Sequence, residues 1–338
     1  TKIYLVGAGD VTLSRTAPGQ QSIYRDAPKL SSLAFQVNQY VSTMEPPQAE
    51  AEPEIDNPNQ PSVEPDPAPF TQEVIEIVLD SSLWGGAEGS GQWEKNWNPE
   101  GLVDGWMSQA SALQVDGDRN QPSQLTSVRS EAPVERAGQW FRDAIGDNAQ
   151  NATLSYGTAP ADAVEIASVL SEPIKEWIRI MLLRSDNTVA EALARLVAYD
   201  VGLDGSDFES LTAAYKSALG NTGLNTQELV IEDGSGLSAY SSVSPKFVAE
   251  LMELVVEGYP NFENILNSLP VAGESGSLEN RFDDELSAAA GKILAKTGWI
   301  RTGYSLAGSM TAKDGTDLVF AVYNLGDVST ANREALDE

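Results

Sequence analysis

Apolar side chains recur along this chain in two rhythms, and the change from one to the other organises it. Lys2-Ile3-Tyr4-Leu5-Val6 reads as a strand, and Leu33, Val37 and Tyr40 give Leu30 to Val41 the spacing of one helix face. Val74-Ile75-Glu76-Ile77-Val78-Leu79 is the kind of run carried by a strand covered on both faces. Asp80 to Asn120, where Trp84, Trp93, Trp97 and Trp106 stand among glycines, predicts a loop-rich region held by aromatic packing. Val164 to Val169 reads as a further strand leading to Ser171 as a helix cap, with Pro173 in the first turn. Ile174, Trp177, Ile178, Met181 and Leu182 then follow at helical spacing. After Ser185-Asp186-Asn187 a second helical face resumes with Val189, Leu193, Leu196 and Val197 and stops at Gly202. Ser206-Asp207-Phe208-Glu209 predicts a capping box before Leu211, and Ser244-Pro245 predicts the start of a helix through Phe247, Leu251, Leu254 and Val255. The period then falls to two. Ile293 to Thr297, Tyr304 to Ala312 and Leu318 to Leu325 predict strands, the last two joined by the hairpin signal Lys313-Asp314-Gly315. Helices followed by an antiparallel sheet argue for an α+β core.

Charge and composition narrow the chemistry. Fifty acidic against 21 basic residues leave a formal charge of -29, which repels phosphate backbones and anionic lipid and argues against nucleic-acid or membrane-surface partners. At 338 residues with 41% apolar side chains, two or three domains are expected. No basic residue lies between Lys29 and Lys95. Inside that window Glu45 to Pro69 holds eight of the 18 prolines among seven carboxylates, so the stretch 44–70 reads as a solvated, disordered loop. Thr1 opens directly on a strand-like run with no leader before it, so the original amino terminus is expected to have been removed. There is no cysteine and no histidine, which excludes disulfides, Ser-His-Asp and Cys-His catalysis and the usual zinc sites; no metal or other cofactor is expected. A hydrolase built from these residues must use Ser-Lys chemistry, a carboxylate pair or an amino-terminal nucleophile.

Two short strings carry the chemistry. Lys296-Thr297-Gly298 offers a fixed positive charge, a hydroxyl donor and a backbone open to an extended peptide, a combination suited to holding a substrate carboxylate. Ser185-Asp186-Asn187 adds a hydroxyl able to relay a proton and an amide able to hold a peptide group, at a break between helices. The bland readings are an exposed strand lysine before a turn and an ordinary helix stop. Gly7-Ala8-Gly9 lacks the third glycine of a dinucleotide loop and reads as a turn. Asp116-Gly117-Asp118-Arg119-Asn120 begins like a calcium loop, lacks the required glycine and glutamate, and reads as a surface turn.

In this order and spacing the two strings resemble the serine penicillin-binding proteins, and the surrounding residues resemble the D-alanyl-D-alanine carboxypeptidases of the penicillin-binding protein 4 type. The resembling stretches are Gly7-Ala8-Gly9-Asp10 with Thr12-Leu13-Ser14, Met181 to Asn187, Asp233-Gly234-Ser235-Gly236-Leu237-Ser238, Leu269 to Gly273 with Gly276-Ser277-Leu278, and Ala295 to Gly298 with Leu306-Ala307-Gly308. The resemblance implies a transpeptidase/β-lactamase-like core at 165–330, an antiparallel sheet with helices. It also implies β-rich inserted accessory domains at 1–164 and a tail at 331–338. It further implies that Ser185, Asn187 and Lys296 are catalytic, Ser185 passing a proton and Asn187 holding the substrate amide. Thr297 would bind the terminal carboxylate, with Gly298, Trp299, Asp233 and Ser235 contacting substrate. The N–H of Trp299 would form half of an oxyanion hole. Trp299 itself departs from the small hydroxyl residue frequent there. The larger departure is the Ser-x-x-Lys nucleophile motif, which occurs nowhere in the sequence and is expected ahead of Thr1. The implied partners are peptidoglycan stem peptides and β-lactams, and the implied location is outside the cytoplasm. A non-catalytic module that binds wall peptides is the second reading, and Thr1 as a self-exposed nucleophile is a third.

Overall fold

The computed structural model describes residues 1–43, 73–85, 89–282 and 288–337; the acidic, proline-rich stretch expected to be a loop lies outside them. Two three-stranded sheets anchor the two halves. In the first, β1 (Lys2–Val6), β2 (Glu76–Asp80) and β3 (Thr153–Tyr156) run parallel in that spatial order. β2 is central and its Ile77, Val78 and Leu79 are buried, as the unbroken apolar run requires. Helix α1 (Leu30–Thr43) covers this sheet through Leu30, Ala34, Val37 and Val41; the short α2 (Gly101–Asp104) follows in the loops, and α3 (Pro133–Ile145) completes the layer with Val134, Ala137, Phe141 and Ile145. The first half, expected to hold β-rich inserted accessory domains, carries among its described residues three short parallel strands with helices in their connections.

The second half begins with α4 (Ile174–Arg184), α5 (Asn187–Asp200), α6 (Ser210–Ala218), α7 (Pro245–Val256) and α8 (Glu263–Leu266). β4 (Ile293–Ile300), β5 (Gly303–Thr311) and β6 (Asp317–Leu325) follow as an antiparallel meander. Ser244 caps α7 by accepting the Phe247 N–H at 3.1 Å, with Pro245 in the first turn as expected. Gly315, at φ 86°, makes the β5–β6 turn. Met252 and Val255 of α7 join Leu269 and Val319 in a core under the sheet, while Ala295 and Leu306 seal its other cluster with Leu278. The stretch read as a tail contains α9 (Thr330–Glu334), and Leu336 packs against that second cluster.

Several expectations fail for identifiable reasons. Val164 to Val169 is not a strand: the Gln36 side chain donates to Ser168 O at 2.9 Å and accepts from Ser168 N at 3.2 Å, replacing a neighbouring strand. Ile166 and Val169 still pack on the first core. Ser171 does not cap α4; the helix starts after Pro173, whose extended ψ of 148° holds the boundary. The Ser206–Glu209 box is absent as well, because the Asp207 carboxylate instead accepts the Ser210 N–H at 2.7 Å. Asp116 to Asn120 is no surface turn. Asp116, Asp118 and Arg119 are buried, each paired with a charge distant in sequence.

Candidate active site

The Ser185 corner is built by the junction of two helices. α4 ends on Arg184, Ser185 adopts the left-handed conformation at φ 54° and ψ 48°, and Asp186 caps α5. A left-handed serine is strained, so something must hold it. Asp186 does so with both oxygens. Oδ1 accepts the N–H groups of Thr188 and Val189 at 3.1 and 3.2 Å, and Oδ2 accepts Arg119 Nη2 at 2.8 Å and the Tyr24 hydroxyl at 3.2 Å. Burial alone would raise the Asp186 pKa. The charges of Arg119 and Arg129 and the helix N–H groups outweigh it and hold the carboxyl below the usual aspartate range. Asn187, the first residue of α5, donates its amide to Trp106 O at 3.1 Å, which fixes its side chain at the wall of a cleft.

Opposite this corner lies the free edge of β4. Ala272 N donates to Ile293 O at 2.9 Å and Ala295 N to Pro270 O at 3.0 Å, so the polar groups of 293 and 295 point away from β5. Strand alternation then turns the backbone N–H and C=O of Thr297 and Trp299 the same way, into the cleft. Lys296 Nζ crosses to Ser185 Oγ at 2.7 Å and also donates to Thr297 O at 2.6 Å. Thr297 Oγ1 donates to Ser277 Oγ at 2.9 Å. Ser277 sits on a turn locked to the end of α4: Gly276 has φ 61°, and a Cβ there would lie 2.5 Å from Leu183 O. Desolvation holds the Lys296 ammonium down to about 8 from the ordinary lysine value.

These elements enclose a cleft of about 1010 Å³. Ser185, Asn187, Lys296, Thr297, Gly298, Trp299 and Ser235 all line it, so seven of the eight expected site residues meet in one place. Asp233 does not. It is buried, and its Oδ2 accepts Trp97 Nε1 at 2.7 Å, Ser235 Oγ at 2.6 Å and Leu237 N at 2.9 Å, so it shapes the 233–238 loop rather than facing a ligand. Gly234 N donates to Glu191 Oε2 at 2.7 Å, tying that loop to α5. Sequence reasoning missed Arg119, Tyr24, Trp106 and Ser277. The first two lie 67 and 162 positions from Asp186, a separation at which local spacing carries no signal.

A helix junction facing the open edge of an antiparallel sheet, with Lys296 bridging them, defines a penicillin-binding-protein type of fold. The chain aligns with the crystal structure of penicillin binding protein 4 (dacB) from Haemophilus influenzae at a TM-score of 0.71, 18% identity, over 96% of this chain and 76% of that one. A structure of that protein complexed with a novel β-lactam aligns at a TM-score of 0.53 and 26% identity, over 60% of this chain and 46% of that one. A sequence profile of the D-Ala-D-Ala carboxypeptidase 3 (S13) family matches residues 103–338, and the chain belongs to that family. Carboxypeptidase DacB of Mycolicibacterium smegmatis is 29% identical and Carboxypeptidase Rv3627c of Mycobacterium tuberculosis 28%, each over 99% of this chain. The chain spans 65% of the length of both relatives.

Proposed function

We propose that this chain is the substrate-recognition part of a serine D-Ala-D-Ala carboxypeptidase or endopeptidase that acts on peptidoglycan stem peptides outside the cytoplasm and is acylated by β-lactams. The observation that carries this reading is the 2.7 Å bond from Lys296 to Ser185, which joins two strings 111 residues apart at the mouth of one cleft. An extended peptide lies antiparallel along the free edge of β4. Its terminal carboxylate meets Lys296 and Thr297, and its reacting carbonyl meets the N–H of Trp299. Asn187 holds the preceding amide, with Ser235 on the same wall. Gly298 stands opposite Ser305 of β5, where a Cβ would press on the Ser305 hydroxyl, so the position must be glycine for β4 to keep its register beside the cleft. Ser185 passes a proton between the attacking serine and the leaving amine.

The attacking serine belongs to a Ser-x-x-Lys motif outside these 338 residues, as the 65% span of the relatives supports. Among the described residues the outer edge of β6 is unpaired and shows Leu318, Val322 and Leu325 to solvent, an open template for a further strand. The expected experiment is release of D-alanine from a D-Ala-D-Ala-ended peptide by the full-length protein, abolished by prior treatment with benzylpenicillin. Binding of that peptide without release identifies a recognition module lacking catalysis and overturns the enzymatic reading.

A further inference from the structure

Arg119 lies behind the cleft wall and lines no part of the cleft, yet it spends four hydrogen bonds in a buried cluster ending at the Ser185 corner. Nη2 reaches Asp186 at 2.8 Å, Nη1 reaches Tyr24 at 2.6 Å and Asp116 O at 3.2 Å, and Nε reaches Leu125 O at 3.2 Å. The loop that presents it is bent hard: Asp116, Gly117 and Asp118 are three consecutive left-handed residues, at φ 54°, 55° and 57°. Two of them carry a Cβ and are strained there. A Cβ on Gly117 would lie 2.6 Å from Arg119 Nη1 and 2.7 Å from the Tyr24 hydroxyl, so the middle position must be glycine for the guanidinium and phenol to approach.

The strain is held from the first half of the molecule. Arg15 pairs with Asp116 at 3.0 Å, Arg136 with Asp118 at 3.1 Å, and Asp118 also accepts the Ser130 N–H at 2.6 Å. Gly117 N donates to Val11 O at 2.8 Å. A buried ion pair of this kind adds little to stability over a packed apolar pair, whereas its directional bonds fix one geometry. Here the geometry fixed is that of a second strained residue. Asp186 is covalently next to left-handed Ser185, whose hydroxyl accepts from Lys296.

We infer that Arg119, with Tyr24, is a positioning residue for proton transfer: it anchors Asp186 so that Ser185 stays left-handed and its hydroxyl stays on Lys296. This rests on the function proposed above. The carboxylate-holding groups, Lys296 and Thr297, sit on β4, which meets the anchored corner through the Lys296–Ser185 bond. Loss of the anchor therefore slows the acylation step far more than it weakens the preceding encounter.

The test uses full-length protein and a fluorescent penicillin, with the first-order acylation constant and the encounter dissociation constant resolved by stopped flow. Tyr24→Phe removes one hydroxyl and little volume, and Arg119→Lys keeps the charge but not the fork of donors. Thermal unfolding verifies that each is folded at the assay temperature. The expected result is an acylation constant about tenfold lower in Arg119→Lys, and lowered in the same direction in Tyr24→Phe, with the dissociation constant within about twofold of the parent. Parental acylation constants in both folded variants overturn the inference alone, as does a loss confined to the dissociation constant. A wild-type protein that takes no label overturns the proposed function and this inference with it.

Discussion

In the role proposed for it, Lys296 makes the recognition of a carboxylate depend on pH in a window where free lysine does not titrate. Its ammonium donates to Ser185 Oγ and Thr297 O, neither of which carries a charge, and desolvation between α4 and β4 lowers its pKa to about 8. On the proposed function the charged form holds the ligand carboxylate, so affinity is expected below that value and expected to be lost above it. At pH 7 about nine-tenths of the molecules are charged and at pH 9 about one-tenth, so affinity falls about tenfold across that interval. A hydrogen bond between charged groups contributes about 1.5–3 kcal/mol, enough for the full tenfold to be read. The assay is titration of the protein with an N-acylated peptide ending in a single D-alanine, followed through indole fluorescence, since Trp299 is 62% exposed at the cleft. The same peptide with an amidated carboxyl end should show no such fall. Affinity that is flat from pH 7 to 9, or falls only toward 10.5, refutes the reasoning. For stability the sign reverses: desolvation of the charged lysine costs the fold below about pH 8, and that cost disappears above the ordinary lysine value of 10.5.

Other perturbations separate scaffold from site. Asp186→Ala removes a helix cap and leaves Arg119 buried without its carboxylate, and should lower stability by about 3–5 kcal/mol in urea unfolding. In the parent, the depressed Asp186 pKa means that this contribution is complete above the ordinary aspartate value of 3.8 and lost as pH falls through the lower folded value. Gly308→Ala places a Cβ against Leu294 O and 2.6 Å from Ala295 Cα, so it should push β4 off β5 and weaken peptide binding together with stability, measured by thermal unfolding and fluorescence titration. Asp233→Asn replaces one of two acceptor oxygens by a donor facing other donors, and should reduce peptide affinity several-fold by loosening the 233–238 loop while leaving the pH midpoint in place.

What the sequence disclosed is what local chemistry controls. Ser244 and Pro245 mark the start of α7 because capping needs only neighbours, and Asp314-Gly315 marks a turn because only a left-handed residue closes it. The two strings that meet at the cleft were legible as Ser185-Asp186-Asn187 and Lys296-Thr297-Gly298, since each carries its polar groups on neighbouring residues. Their support was not. Asp116 and Asp118 look solvated in a charged, glycine-containing pentapeptide, and only folding brings Arg15, from 101 positions away, against the first of them. Asp233 looks like a ligand group beside two serines until Trp97, 136 positions distant, takes its oxygen. Val164 to Val169 has the side chains of a strand, but the nearest hydrogen-bonding partner for Ser168 is the amide of Gln36, not another backbone.

The most direct measurement is covalent labelling of full-length protein by benzylpenicillin, followed by intact mass and peptide mapping, in the parent and in Lys296→Ala. The adduct is expected on a serine of a Ser-x-x-Lys motif outside these 338 residues, and Lys296→Ala should lower the labelling rate by about a hundredfold or more. Equal labelling of parent and variant, or an adduct on a serine remote from the cleft of Ser185 and Lys296, contradicts it.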